Sequence, residues 1–183
     1  MIICFYDLET TGFSKEHNDI IEIAGAIWDS QKDQILDTFT EYIKPVGKIP
    51  PIITQLTGIS MDKVKDCDNI WNILPQFYEF MMSYKVEKMV GYNNAVFDYP
   101  FILAQMNRYK LSEKFNFPQY EQVDVLKIVR GLKKKKLIEL SDCKQSTVAT
   151  HFNIIYDAHD AINDTLALVR IYKEIRKIDP TLI

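Results

Sequence analysis

The segment Ile2-Ile3-Cys4-Phe5-Tyr6-Asp7-Leu8-Glu9 decides how the rest of this chain reads. It opens with an unbroken apolar run, Ile2–Tyr6, the pattern of a strand covered on both faces, and such a strand belongs at the centre of a sheet. Residues two apart in a strand point to the same face, so Asp7 and Glu9 present their carboxylates together at its end. Carboxylates that close raise one another's pKa unless cations neutralise them. Hard oxygen ligands suit Mg²⁺ or Mn²⁺.

Working outward, Ile20–Trp28 and Gln34–Ile43 are strand-like, and the polar link Asp29–Asp33 joins them as a hairpin. Pro45, Gly47, Pro50 and Pro51 end this pattern, and helical signals follow. Ile52, Ile53 and Leu56 lead to Gly58, a C-terminal stop, and Ser60 is placed to cap a short turn before Val64. Asn69–Met82 has apolar residues at helical spacing, with Pro75 as a point of kinking or division. Lys88–Tyr92 reads as a short strand, Pro100 suits the first turn of a helix running to Tyr109, and Gln122–Val125 is a last strand. Leu126–Leu132, Ser141–Phe152 and Ala161–Lys177 complete the set as helices. Strands first, then mixed helices and short strands, imply an α/β mixed sheet flanked by helices.

A chain of 183 residues without repeats or linkers is expected to form one domain, residues 1–183. Its 47% hydrophobic and 26% charged residues are those of an ordinary globular protein, and its apolar runs are too short to span a membrane. The N-terminus lacks the basic lead-in of a signal peptide. Cys4, Cys67 and Cys143 are far apart, which implies free thiols and a cytoplasmic setting. The formal charge of −3 argues against tight binding driven by bulk charge, but two divalent ions would bring it to about +1, so an anionic substrate is not excluded.

Further acids lie in contexts like that of Asp7. Asp98 ends Asn94-Ala95-Val96-Phe97-Asp98, directly after the Lys88–Tyr92 strand; it reads as the cap of the following helix or as a site acid. His159 and Asp164 open the last helical pattern. Their five-residue offset would put them on different faces of one regular helix, so His159 is expected in the preceding loop and Asp164 on the first or second turn. A loop histidine above a metal-held water has the intrinsic pKa of a general base near neutrality. Thr10-Thr11-Gly12 offers hydroxyls, backbone donors and a glycine that lets a nucleotide approach. Phe13 reads as a core aromatic, the commoner fate, or as a base-stacking wedge. Lys133–Lys136 reads as a solvated run or as a contact to phosphates upstream of the reacting end. The residues by themselves imply a two-metal phosphodiester hydrolase.

Taken together, Asp7-Leu8-Glu9-Thr10-Thr11-Gly12, Asn94-Ala95-Val96-Phe97-Asp98 and His159-Asp160-Ala161-Ile162-Asn163-Asp164 resemble the DEDDh branch of the 3′–5′ exonuclease superfamily, typified by the proofreading epsilon subunit of bacterial DNA polymerase III. The sister branch would need tyrosine where this chain has Asp160. Leu56-Thr57-Gly58-Ile59 resembles a segment of the polymerase-associated members, while Asn93 stands where relatives often carry histidine. The resemblance spans residues 2 to about 172. It implies a ribonuclease H-like fold with a five-stranded mixed sheet, and hydrolysis of DNA 3′ ends to nucleoside 5′-monophosphates, of the proofreading or repair type. Asp7, Glu9, Asp98 and Asp164 would hold two Mg²⁺ or Mn²⁺ ions, with His159 as general base. Thr10, Thr11, Gly12, Phe13, Asn94 and Phe97 would contact the strand. Single-stranded DNA or DNA 3′ ends are the expected partners, RNA is an alternative, and a DNA polymerase or other replication or repair protein is the expected protein partner. A non-catalytic nucleic-acid-binding module is the competing class, but such versions should lack one of these acids or the histidine. The chain ends soon after the last helix, which fits a stand-alone exonuclease or an isolated domain better than a tethered subunit.

Overall fold

The computed structural model describes residues 1–157 and 160–181. Strands β1 (Ile2–Thr10), β2 (Ile20–Asp29), β3 (Gln34–Tyr42), β4 (Lys88–Gly91) and β5 (Glu121–Asp124) form one five-stranded sheet in the order β3-β2-β1-β4-β5. β1 is antiparallel to β2 and parallel to β4, so the first strand is central, as its two-faced apolar run implies. β2 and β3 form the expected antiparallel hairpin, and β4 pairs in parallel with β5. The edge strand β3 is largely exposed and carries Asp37 and Glu41, charges that discourage further strand pairing. The helices are α1 (Pro51–Thr57), α2 (Met61–Val64), α3 (Ile70–Ser83), α4 (Asp98–Arg108), α5 (Val125–Lys134), α6 (Gln145–His151) and α7 (Ala161–Ile178). This is the α/β, ribonuclease H-like arrangement of a five-stranded mixed sheet flanked by helices. Among the described residues no helix is long and apolar enough to cross a membrane.

The alternation of β1 divides the core. Cys4, Tyr6 and Leu8 pack in one cluster with Ile73 and Phe77 of α3 and Phe101 and Ile102 of α4. Gly25 permits this approach, since a Cβ there would lie 2.6 Å from the Phe77 ring. Ile3 and Phe5 pack in a second cluster with Val129 of α5 and Leu168, Ile171, Tyr172 and Ile175 of α7. Phe5 meets Tyr172 edge-to-face at 5.3 Å. Each fully buried Ile or Phe contributes about 1.5–3 kcal/mol, so the sheet is fixed from both sides.

One helical stripe then sets the position of the acids. Asp164, Leu168, Ile171, Tyr172 and Ile175 follow the three-to-four spacing of one helix face. The apolar members of that stripe rest with Ile3 and Phe5, which share a strand face with Asp7 and Glu9. Both stripes therefore change from apolar to acidic at the same end.

Most local readings hold. Gly58 ends α1 with φ 71°, its N–H donating to Thr54 O at 2.8 Å. Ser60 caps α2, its hydroxyl accepting from Lys63 N. α3 runs through Pro75 undivided. The Ser141–Phe152 reading is corrected: α6 begins only at Gln145. Asp142 accepts the Lys144 N–H at 2.9 Å, and the Cys143 carbonyl accepts from the Tyr92 hydroxyl at 2.6 Å, so this stretch is used outside a helix. Cys4, Cys67 and Cys143 are free thiols. Lys133–Lys136 ends α5, where Lys135 lies 4.0 Å from Asp179 just past the end of α7. That is about 22 Å along α7 from Asp164, at the other end of the sheet.

Candidate metal centre

Asp7, Glu9 and Asp164 come together: one carboxylate oxygen of each lies within 4.8 Å of the others. β1 supplies the first two, and the first turn of α7 supplies the third. Asp160 caps that turn, accepting the Asn163 N–H at 3.1 Å, which fixes where the helix begins and hence where Asp164 stands. Asp98 is buried and sits outside this triad, yet close enough for its charge to act on Asp7. It is the first residue of α4 and not its cap, which is Phe97, so the capping alternative is set aside.

The electrostatics explain what such a cluster needs. Asp7 has its pKa pushed well above the carboxylate range by burial, then by Asp98, Asp164, Glu9 and Glu22. Glu9 is pushed up to about 8 by burial and by Glu22, Asp164, Asp98 and Asp160. Asp98 is pushed up to about 7, mainly by burial, with backbone hydrogen bonds of Asp98 and Leu8 opposing the shift. The neighbouring charges acting most on Asp7 and Glu9 are all carboxylates. A divalent cation relieves this repulsion, and an all-oxygen donor set is what Mg²⁺ or Mn²⁺ prefers, so these residues fit the metal their sequence context implies.

The other expected site residues fall into different places. Thr10 and Thr11 are buried and shape the turn after β1: the Thr10 hydroxyl donates to Gly12 O at 2.7 Å, and the Thr11 hydroxyl accepts from Asp19 N at 2.9 Å. A Cβ on Gly12 would lie 2.7 Å from Asn18 Oδ1, so the turn is closed to larger residues. Asp19 in turn binds Arg108 at 2.8 Å, tying this turn to α4. Phe13 is 85% exposed, which overturns its core reading, and its ring lies 6.2 Å from that of Phe97. Phe97 is itself anchored on Phe101 at 4.9 Å. Asn94 is fully buried; its amide donates to the Tyr6 hydroxyl at 3.1 Å and Gln122 Oε1 at 3.3 Å, so it links β1 to β5 from within. Gly91 makes room for it, since a Cβ there would lie 2.5 Å from that of Asn94. Asn93 takes a left-handed conformation, φ 64°, and donates its N–H to Asp124 Oδ1. His159 lies outside the described residues.

Several residues at the site carry no flag in the sequence motifs. Glu22 pairs in register with Glu9, is buried, and leaves Oε1 without a hydrogen bond among the described residues. Burial and Asp160 raise its pKa, against the Ala161 N–H, Lys63 and Tyr42. Its signal was there to be read: an acid inside the apolar run Ile20–Trp28, which the hairpin carries opposite β1. Gln145 donates from Nε2 to Asp164 O at 2.9 Å and Oδ1 at 3.1 Å. Tyr156 hydrogen-bonds the Asp164 side chain; burial first, then that carboxylate, raises its pKa. Neither contact has a signature in sequence spacing.

Comparison with known proteins bears on this arrangement. The profile of the RNase_T family, described as Exonuclease, matches residues 4–172. DNA polymerase III PolC-type of Caldanaerobacter subterraneus subsp. tengcongensis is 34% identical over 168 residues, which is 91% of this chain and 11% of that protein. The protein of the same name from Clostridium perfringens is 33% identical over 171 residues, 92% of this chain and 11% of that one. This chain thus spans about a tenth of the length of these curated relatives. Among solved structures, an exonuclease I superposes with a TM-score of 0.85 at 20% identity over 99% of this chain and 42% of its own. E. coli exonuclease I in complex with a dT13 oligonucleotide gives 0.83 at 19% identity, covering 99% of this chain and 42% of that one. Cell-death related nuclease 4 gives 0.80 at 20% identity, covering 97% and 64%. At these identities the structures establish the shared fold.

Proposed function

This chain belongs to the RNase_T exonuclease family, and on that premise we propose that it is a metal-dependent 3′–5′ exonuclease acting on DNA 3′ ends and releasing nucleoside 5′-monophosphates. The observation that carries the proposal is the convergence of Asp7, Glu9 and Asp164 at one point of the sheet, with Asp98 beside them. Asp7, Glu9 and Asp164 would hold one divalent ion, and Asp7 with Asp98 a second. When bound, such ions lower the pKa of water and stabilise both the attacking and the departing oxygens of an in-line displacement.

The chain's own groups do the rest. His159, as neutral imidazole, accepts the proton of the attacking water. The water oxygen forms a bond to phosphorus while the bond to the 3′ oxygen of the preceding nucleotide breaks. Exposed Phe13, beside half-buried Phe97 that is anchored on Phe101, would offer an aromatic surface for the terminal base. The Thr10–Gly12 turn, closed by the Thr10 hydroxyl, would offer backbone to the DNA, and Asn94 ties β1 to β5 through Tyr6 and Gln122. The curated relatives are DNA polymerases, so a polymerase or another replication or repair protein is the partner we propose.

The test is a time course on 5′-labelled single-stranded DNA and matching RNA with Mg²⁺, Mn²⁺ or EDTA. The expected result is a metal-dependent ladder shortening from the 3′ end, faster on DNA. Faster loss of RNA would move the substrate assignment, and no shortening with either metal would sink the enzyme reading. His159→Ala is expected to bind metal and DNA but turn over slowly, and to lose the rise in rate as pH passes the ordinary histidine pKa of about 6.5. An unchanged pH–rate profile in that variant would remove His159 from the mechanism.

A further inference from the structure

Asp164 stands apart from the other ligands of the triad in how it is held. Asp7 and Glu9 lie in β1 where it pairs in register with β2, opposite Ala24 and Glu22, so their backbone is fixed by the sheet. Asp164 comes from the opening turn of a helix, where a side chain can swing unless something outside the helix holds it. Among the described residues, Gln145 and Tyr156 reach it from outside α7. Gln145, the first residue of α6, grips both the main-chain oxygen and Oδ1 with one amide nitrogen, at 2.9 and 3.1 Å. The Tyr156 hydroxyl hydrogen-bonds the same side chain and lies against that of Gln145.

Resting on the metal-site reading above, we infer that Gln145 and Tyr156 are positioning residues that aim the Asp164 carboxylate at the metal between Asp7 and Glu9. The chemistry of the two donors supports this. Both are neutral, so they fix a carboxylate without cancelling the charge a cation needs, as a lysine or arginine there would. Both also donate hydrogen bonds to Asp164, which fixes the direction its carboxylate faces. Gln145 binds the backbone oxygen and the side chain at once, so it ties the carboxylate to the register of the helix. Tyr156 additionally borders a cavity of about 360 Å³ lined by Ser146, Thr150, Asn153, Ile154 and Ile155. Outer partners of this kind commonly change metal affinity by roughly 10–100-fold when removed.

The experiment is calorimetric titration of the full chain with Mn²⁺, comparing the unmodified protein, Gln145→Leu, Tyr156→Phe and Thr150→Ala, with thermal melts in EDTA. Thr150 lines the same cavity, but its hydroxyl donates to Ser146 O, making it the local control. Gln145→Leu and Tyr156→Phe are expected each to bind Mn²⁺ roughly 10-fold more weakly, with unchanged melts, and to regain exonuclease activity at raised Mn²⁺. Thr150→Ala should match the unmodified protein. Unmodified affinity in both variants overturns the proposal while leaving the metal site intact, as does equal weakening in the control. An unmodified chain that binds no Mn²⁺ removes the metal-site reading, and this inference with it. If Gln145→Leu does not fold, Tyr156→Phe decides, because it deletes a single oxygen.

Discussion

The α7 face of β1 has two halves built on one geometry with opposite chemistry. In the first, Ile3 and Phe5 meet Leu168, Ile171 and Tyr172, and everything is apolar. In the second, Asp7 and Glu9 meet Asp164, one helical turn before Leu168. The apolar half holds helix to sheet by burial. The acidic half opposes folding whenever its carboxylates are ionised with no cation present, and it is carried by the stability of the other half. The same strand and helix thus serve as both clamp and site, and the position of the change, between Phe5 and Asp7, determines where chemistry can occur.

Substitutions that exchange the two chemistries should break this comparison most clearly. Asp7→Asn is expected to reduce exonuclease activity to the level seen in EDTA, while raising the melting temperature of the metal-free protein at pH 8. A variant that is both inactive and destabilised would mean Asp7 supports the fold instead of the site. In the apolar half, Phe5→Ala should lose about 3–5 kcal/mol in urea unfolding, the usual range for deleting a buried phenyl group. It should retain Mn²⁺ binding well below its melting temperature. A loss under about 1 kcal/mol would show that the second core does not depend on this contact.

A smaller effect sharpens the comparison through pH. The Glu9 carboxyl is pushed up to about 8 from an ordinary 4.5, so between those values the folded state binds more protons than the unfolded state. Stability of the metal-free protein should therefore fall as pH rises through that window, and Mg²⁺ should flatten the fall. Urea melts at pH 6 and pH 8, with Mg²⁺ or EDTA, read this directly; stability that rises with pH in EDTA would contradict the assigned repulsion. Glu9→Gln should remove part of the slope. Smallest of all, Lys134→Ala with Lys136→Ala, at the far end of α5, should shift stability by no more than about 0.5 kcal/mol and leave turnover of short oligonucleotides unchanged. A slower reaction on those substrates would return the lysine run to the substrate path.

What was legible in the sequence was what periodicity carries. The unbroken Ile2–Tyr6 run placed β1 at the centre, and strand alternation paired Asp7 with Glu9. The offset from His159 put Asp164 on the first or second turn of the last helix, and it stands in the first turn of α7. What was not legible depends on contacts between distant segments. Phe13 could not be assigned to the surface because exposure is a property of the finished fold, as is the packing of Phe97 on Phe101 that sets the ring beside it. The early start assigned to α6 failed because Asp142 competes for the Lys144 N–H, an alternative to helix that spacing does not register. Asn94 has the composition of a substrate contact, yet its burial depends on Gly91 and on a Tyr6 hydroxyl 88 residues away in sequence. Gln145 and Tyr156 reach Asp164 from segments whose own patterns advertise nothing.

The most direct test of the account is an anomalous difference map from crystals of this chain grown with Mn²⁺. A strong peak is expected within coordination distance of carboxylate oxygens from Asp7, Glu9 and Asp164, and a second between Asp7 and Asp98 once a DNA 3′ end is bound. Bound Mn²⁺ found only elsewhere on the surface, with the triad carboxylates splayed apart, would contradict it.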